Sequence, residues 1–245
     1  MNHIDLFSGI GGFALAGSWV CGEDHNILTF CEKNPFCQKV LKKHWPDVPI
    51  HDDVTTFKKY YDNVDLITCG FPCQDISHCG KQEGIEGERS GLWKEYLRVL
   101  GEIRPKYGIV ENTANLLAGD DGRWFGVILK DLAGIGYDAE WYSLQASYFG
   151  FVHHRKRVFI ITYPNGSMLE GMDIPKSIRA YKKKPCRREL TRTIDACLQA
   201  DDYARMRGNY DGVPEIMDRL KALGNAIVPQ VVVPIMQAIK EIEGE

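Results

Sequence analysis

The sequence has no apolar run approaching the roughly 18 residues that a membrane span needs. It has no C-x-x-C pair. Its eight cysteines, Cys21, Cys31, Cys37, Cys69, Cys73, Cys79, Cys186 and Cys197, lack the paired spacing of a structural zinc site. A chain of 245 residues can bury a sizeable core without staples, so free thiols are expected, at least one of them kept for its reactivity. No Gly-Lys-Ser/Thr follows a glycine-rich loop, which excludes a Walker phosphate loop. The opening MNHIDLFSGIGG has no basic region leading into an apolar run, so no secretory signal and a cytoplasmic location are expected. Neither an internal repeat nor a low-complexity tract is present.

What is present is ordinary in bulk. The chain is 44% hydrophobic and 26% charged, with a net charge of −3. That apolar content is enough to offset ordering entropy, which excludes disorder as the main state. The length suits one large domain, or one domain with a small lobe. Charge is unevenly spread. From Lys176 to Arg192 there are eight basic residues, among them Lys176, Lys182, Lys183, Lys184, Arg187 and Arg188, against the single acid Glu189. A basic stretch on an acidic body points to a polyanion contact, or else to a solvated loop.

Strand and helix patterns alternate up to about residue 163. Strands are expected at 3–7, 27–31, 65–69, 107–110, 140–144 and 158–163, with a further short one before Asp52. Helices are expected at 13–20, 35–44, 92–103 and 125–132. This alternation gives an α/β fold, a mainly parallel sheet with helices on both faces. After Tyr163 the periodicity fails, and residues 164–222 form a candidate small lobe. A helix is expected again over 226–242, despite Pro229 and Pro234.

Four motifs sit at expected strand ends. The first is D-L-F-S-G-I-G-G, Asp5 to Gly12. Close glycines after a strand let a ligand approach the backbone at a helix N-terminus, although a tight turn needs them too. Glu32 closes the next strand, where an acid can accept from ribose hydroxyls, and Asp52 and Asp53 close the third. Together the three strand ends describe an adenosine-type pocket. The second motif is G-F-P-C-Q, Gly70 to Gln74. It places Cys73 at the carboxyl end of a strand as a candidate nucleophile, the alternative being a small buried apolar residue. The glycine-bearing stretch 75–91 after it resembles a lid. The third motif is V-E-N-T, Val110 to Thr113, whose Glu111 projects at the same edge as a proton donor or as a cap. The fourth is H-H-R-K-R, His153 to Arg157. Arg155 and Arg157 there can hydrogen-bond a carbonyl or phosphate, or form a solvated turn.

In order and spacing these motifs, with G-N-A-I-V-P at 224–229, resemble the DNA (cytosine-5) methyltransferases over residues 3–163 and 219–239. The resemblance implies a Rossmann-like S-adenosylmethionine-dependent methyltransferase sheet. Residues 1–163 and 223–245 would form the catalytic domain, and 164–222 a small irregular target-recognition lobe. It implies a cofactor pocket of Asp5, Phe7, Gly9, Gly11, Gly12, Glu32, Asp53, Val54, Gly70, Pro72, Leu92, Asn225 and Ala226. Phe7 would stack on the adenine, Glu32 bind the ribose, and Asp53 with Val54 meet the adenine edge.

The chemistry implied is addition of the Cys73 thiolate to cytosine carbon 6, with Glu111 at ring N3 and the exocyclic amine. Arg157 and Arg155 would hold the ring carbonyl, and carbon 5 would take the methyl group. The base must first leave the duplex. Gln74 and Ser77 would then lie at the DNA, and the basic stretch on its phosphates. Double-stranded DNA is thus the implied partner, a cognate restriction endonuclease a further one, and a monomer the expected state. The motifs depart from the usual pattern at two places: Thr113 replaces a valine, and Val152-His153 replaces Pro-Gln. Two rivals are an enzyme of the same build acting on transfer RNA, and a non-catalytic relic. The first is disfavoured because the C-F-T tripeptide usual in RNA-acting relatives is missing, the second because every assignable catalytic position is filled.

Overall fold

The computed structural model describes residues 1–71, 91–151, 153–167 and 214–244. Strand β1 (Asn2–Leu6) sits inside a seven-stranded sheet and is buried on both faces, as befits a central parallel strand. Helix α1 (Gly12–Cys21) follows Gly11, whose φ of 84° supplies the left-handed residue that turns the chain into the helix. After β2 (Asn26–Cys31), Asn34 caps α2 (Pro35–His44) by accepting from the Phe36 and Cys37 amides at 2.8 and 3.3 Å. Pro35 occupies the first turn, where its missing N–H costs nothing, and Lys42, Lys43 and His44 answer the dipole in the last.

Strands β3 (Ile50–His51) and β4 (Leu66–Cys69) come next, then α3 (Gly91–Ile103). Buried Trp93, Tyr96, Val99, Leu100 and Ile103 form the helical stripe that lays α3 on the sheet. The chain continues through β5 (Tyr107–Thr113), the short α4 (Asn115–Ala118), α5 (Arg123–Gly134), β6 (Tyr137–Gln145) and β7 (Lys156–Pro164). Helices α6 (Pro214–Asn225) and α7 (Pro229–Glu243) close the described chain.

Sheet order is β3-β2-β1-β4-β5-β7-β6. The first five strands in sequence are parallel, and β7 runs antiparallel to both β5 and β6. The order reverses between β1 and β4, so a crevice opens beyond their carboxyl ends. One apolar layer joins Ile4, Leu6, Ile67 and Cys69 to α3 and α5. The other joins Leu66, Ile109, Phe159 and Ile161 to Phe13 and Ala16 of α1 and to Val232, Ile235, Met236 and Ile239 of α7. The last helix thus packs beside the first.

Two elements differ from the sequence pattern for identifiable reasons. β5 runs three residues past Val110, because Glu111, Asn112 and Thr113 pair with Phe159, Val158 and Arg157 of β7. The helix expected over 226–242 begins three residues later, at Pro229. Pro229 forces the residue before it out of helical backbone, and Val228 is extended at φ −83°, ψ 105°. β7 continues through Pro164, and α6 begins at Pro214, inside the 164–222 span expected for the lobe.

A row of buried polar side chains crosses β1 and β4. Thr68 Oγ1 donates to Asp5 Oδ1 at 2.6 Å and lies 2.7 Å from His3 Nε2, and His3 Nδ1 lies 3.0 Å from His25 Nε2. With Thr68 donating to the carboxylate, His3 Nε2 donates to Thr68, and a neutral His3 ring then accepts at Nδ1 from His25 Nε2. Burial favours this by pushing both imidazoles down, His25 to about 4. Among the described residues Asp5 Oδ2 has no hydrogen-bond partner, and burial raises the Asp5 carboxyl to about 7.

A carboxyl whose folded pKa lies above its unfolded value destabilises the fold increasingly as pH rises from the unfolded value through the folded one. Asp5→Asn is therefore expected to raise Tm by about 5–10 °C at pH 8, with the gain shrinking between pH 7 and pH 4. Thermal melts across that range check it, and a gain that does not change with pH would contradict the assignment.

Candidate active site

The cofactor side of the crevice is built from the ends of β1, β2 and β3. Phe7, Gly9 and Gly11 have φ of 53°, 55° and 84°. A bulky residue such as Phe7 at positive φ is strained, and such strain collects at ligand-binding loops. Glu32 ties this loop to the next: its Oε2 accepts from the Gly9 amide and its Oε1 from the Asn34 amide, both at 2.7 Å. Each oxygen keeps a lone pair for a hydroxyl donor. Asp53 Oδ1 accepts from the Thr55 amide at 3.0 Å and the Thr55 hydroxyl at 2.8 Å, and Lys33 pairs with Oδ2 at 3.2 Å. These bonds, the backbone one first, hold its carboxyl down at about 2. A Cβ placed on Gly9 would meet nothing within 4 Å among the described residues, so none of them crowds the loop there. Acids at two strand ends, an aromatic and an uncrowded loop fit an adenosine-type group.

The opposite side is built from β5 and β7. Glu111 is buried, and its Oε1 lies 3.0 Å from Arg157 Nε. That contact is an ion pair without aligned hydrogen-bond geometry, which leaves Oε1 without a hydrogen-bond donor in the described structure. Burial raises the Glu111 carboxyl above its ordinary range, and Arg157 and then Arg155 oppose the rise. Arg155 is itself pushed down by burial and by Arg157, while Glu111 acts the other way. The three side chains share a small cleft with Leu144, Ala146, Phe159, Val228 and Val231.

The two sides meet at Gly70, just beyond β4. A Cβ there would lie 3.5 Å from Ile227 Cδ1 and 4.0 Å from both Glu111 Oε2 and the Phe7 carbonyl oxygen. Gly70 opens the G-F-P-C-Q motif, three residues before Cys73. Pro72, Cys73, Gln74 and Ser77 lie outside the described residues, as do the 75–90 part of the expected lid and the basic residues Lys176, Lys182, Lys183, Lys184, Arg187 and Arg188.

Of the remaining expected site residues, Gly11 and Gly12 start α1, Val54 is buried, and Leu92 is half-buried in the first turn of α3. Asn225 is exposed at the end of α6, and Ala226 follows it. Asp5 is placed differently from its neighbours: its side chain is wholly buried in the polar row beneath the loop, away from solvent. Its carbonyl accepts from Ser8 Oγ at 2.5 Å and so braces the turn from below. Four cysteines are described, Cys21, Cys31, Cys37 and Cys69, and all are buried. Burial pushes every one of these thiols up, Cys31 to about 12 and Cys37 to about 11, so none is a ready thiolate.

Two contributors were not singled out from sequence. Arg98 on α3 donates from Nη2 to the Val54 carbonyl at 2.9 Å, holding the Asp53–Val54 turn, and Glu95 and Glu102 hold Arg98. Nothing in local spacing marks it, since the partners are 44 residues apart. Ile227 is the other, an apolar residue inside G-N-A-I-V-P whose contact with Gly12 appears only once the helices are packed. Among the described residues, no group of His, Cys, Asp or Glu could hold a metal ion, and no helix is long and apolar enough to cross a membrane.

Comparison with known proteins agrees with this geometry. The family model for C-5 cytosine-specific DNA methylase matches residues 1–212. The type II methyltransferase M.BsuFI of Bacillus subtilis is 30% identical over 230 residues, 89% of this chain and 53% of that protein. M2.BsuMI of Bacillus subtilis (strain 168) is 34% identical over 165 residues, 66% of this chain and 41% of that protein. M.HhaI of Haemophilus parahaemolyticus is 30% identical over 176 residues, 72% and 53% respectively. The chain thus spans about half the length of the curated relatives it matches. The solved structure of the S. pombe Dnmt2 methyltransferase shares the fold at a TM-score of 0.57 and 20% identity, covering 75% of this chain and 56% of that one. With the family model spanning most of its length, the chain belongs to the C-5 cytosine-specific DNA methylase family.

Proposed function

We propose that this protein methylates carbon 5 of cytosine in double-stranded DNA, using S-adenosylmethionine. The observation that carries the reading is the convergence at Gly70 of the Glu111 carboxylate, the Phe7 carbonyl and Ile227, three residues before Cys73. It puts a buried acid of raised pKa, the glycine loop and the start of the cysteine motif around one point. S-adenosylmethionine supplies an electrophilic methyl group on a sulfonium.

The chain's own residues account for the rest. Glu32 and Asp53 accept hydrogen bonds from the cofactor's ribose and adenine, and Phe7 offers it an apolar face. A cytosine must be extruded from the helix to reach the crevice, because its reacting carbons are shielded in the stack. Glu111, protonated more readily than an ordinary glutamate, donates to ring N3, and its other oxygen accepts from the exocyclic amine. That removes charge from the ring as the Cys73 thiolate adds to carbon 6, which makes carbon 5 nucleophilic. Arg157 keeps Glu111 in place and is the donor to the ring carbonyl. Transfer of the methyl group to carbon 5 would break its bond to the sulfonium and leave a neutral thioether; the carbon-5 proton then passes to solvent as the carbon 6–sulfur bond breaks, returning the Cys73 thiolate. The four buried cysteines cannot substitute for Cys73, since their thiols stay protonated at neutral pH.

The basic 176–192 stretch is assigned to backbone phosphates, a contact that weakens as salt rises. The assignment extends to a recognition lobe between β7 and α6, to action in the cytoplasm of a bacterial or virus-infected cell, and to a monomer. A cognate restriction endonuclease is its natural counterpart, because type II methyltransferases are among the relatives.

Cys73→Ser is expected to abolish methyl transfer to DNA while S-adenosylmethionine binding persists, measured with labelled cofactor and by titration. Full activity in that variant would overturn the thiol mechanism. DNA bearing 5-fluorocytosine is expected to trap the protein covalently, because the fluorine cannot leave as a proton does; a gel-shift stable to denaturant reads this. Glu111→Gln should lower kcat by about 100-fold or more and flatten the alkaline fall in rate that deprotonation of Glu111 produces. An unchanged pH profile would remove Glu111 from the proton-donor role.

A further inference from the structure

Residues Gly224 to Val228 join α6 to α7 and touch three separate strand ends. A Cβ on Gly12 would stand 2.9 Å from the Ile227 carbonyl oxygen and 3.1 Å from Ile227 Cβ, so this segment lies against the start of α1. Ile227 Cδ1 reaches Gly70 beyond β4, and Val228 lines the cleft of Glu111, Arg155 and Arg157. At its other end, Arg155 Nη1 donates to the Gly224 carbonyl at 2.5 Å. That carbonyl lies in the last turn of α6, where backbone acceptors lack partners within the helix and a cation is favoured.

The two arginines of the motif are therefore spent differently. Arg157 faces the Glu111 carboxylate at 3.0 Å. Arg155, half-buried on the same strand end, gives its hydrogen bond to a helix terminus. Arg155, just before β7, and Arg157 within it thereby connect the Glu111 side of the crevice to the segment seated on the glycine loop.

We propose that Arg155 is a positioning residue for the cofactor pocket, fastening the end of α6 so that Asn225, Ala226 and Ile227 stay seated over Gly12, and that it does not hold the target base. The inference rests on the reading of that pocket as an S-adenosylmethionine site. Its consequence is that a residue of the cytosine-side motif controls cofactor affinity before any DNA arrives.

Calorimetric titration of S-adenosylmethionine into the full chain, without DNA, tests it. Arg155→Ala is expected to weaken binding about ten-fold, as loss of a charged hydrogen bond does. Arg155→Lys keeps a donor for the carbonyl and should stay within about three-fold. Lys156→Ala, on the exposed alternate position, should match the parent. A second reading needs no cofactor: exchange of the Ala226 amide, which donates to the Ala222 carbonyl at 2.9 Å, should quicken in Arg155→Ala while the amides of β5 keep their protection. Unchanged Ala226 exchange, or parental cofactor affinity in Arg155→Ala, would overturn the proposal. A parent chain that binds no S-adenosylmethionine would instead overturn the cofactor reading, and the exchange measurement would still decide the fastening.

Discussion

The packing of α7 against α1 is the contact on which the rest of the crevice depends. Each of the buried α7 residues Val232, Ile235, Met236 and Ile239 contributes on the order of 1.5–3 kcal/mol by leaving water. That burial brings the far end of the chain back to its beginning. Lys240 Nζ donates to the Val20 carbonyl at 3.0 Å, and Lys106 joins Asp65 to Glu243, which pins the same C-terminal end of α7 to the base of the sheet. With the helix buried against α1 and fixed at its C-terminal end, the 224–228 segment lies across the carboxyl ends of β1 and β4. Gly12 permits the approach, since any side chain there would meet the Ile227 carbonyl.

The sheet order then concentrates polar groups where they can act. Parallel β1, β2, β3, β4 and β5 all end at one edge, so Phe7, Glu32, Asp53, Gly70 and Glu111 arrive together from distant parts of the sequence. The antiparallel return of β7 delivers two arginines to that edge from the other side. Charge balance in the crevice is deliberate: one buried carboxyl faces two guanidiniums, and the second guanidinium is answered by a helix end. Deeper in the sheet, Asp5 does the opposite kind of work. It holds a directional hydrogen-bond row and braces the Ser8 turn, at a cost in stability that grows toward alkaline pH.

Much of this was legible in the sequence, because parallel α/β folds write their sites at strand ends. Helix α2 matches its expected span, since Asn34, Pro35 and the terminal basic residues mark both ends locally. The glycine loop, Glu32, Asp53, Glu111 and Arg157 were assigned to one edge, and those in the described structure lie there. What was not legible depends on contacts between distant residues. The extension of β5 through Glu111 requires β7 as a partner, and the hold of Arg98 on Val54 requires α3 to be docked. Asp5 enters the expected cofactor pocket through the family resemblance. Strand alternation sends its side chain instead toward Thr68 and His3. The late start of α7 is written in Pro229, which holds Val228 in extended backbone.

The central claim is that the crevice converts cytosine to 5-methylcytosine in duplex DNA. Bisulfite mapping of a plasmid recovered from cells expressing the chain tests this most directly, because it reports activity and target together. The account predicts cytosines protected from conversion at one short recurring sequence, and loss of that protection when Cys73 is replaced. Complete conversion of the plasmid in the presence of folded, cofactor-binding protein would contradict it.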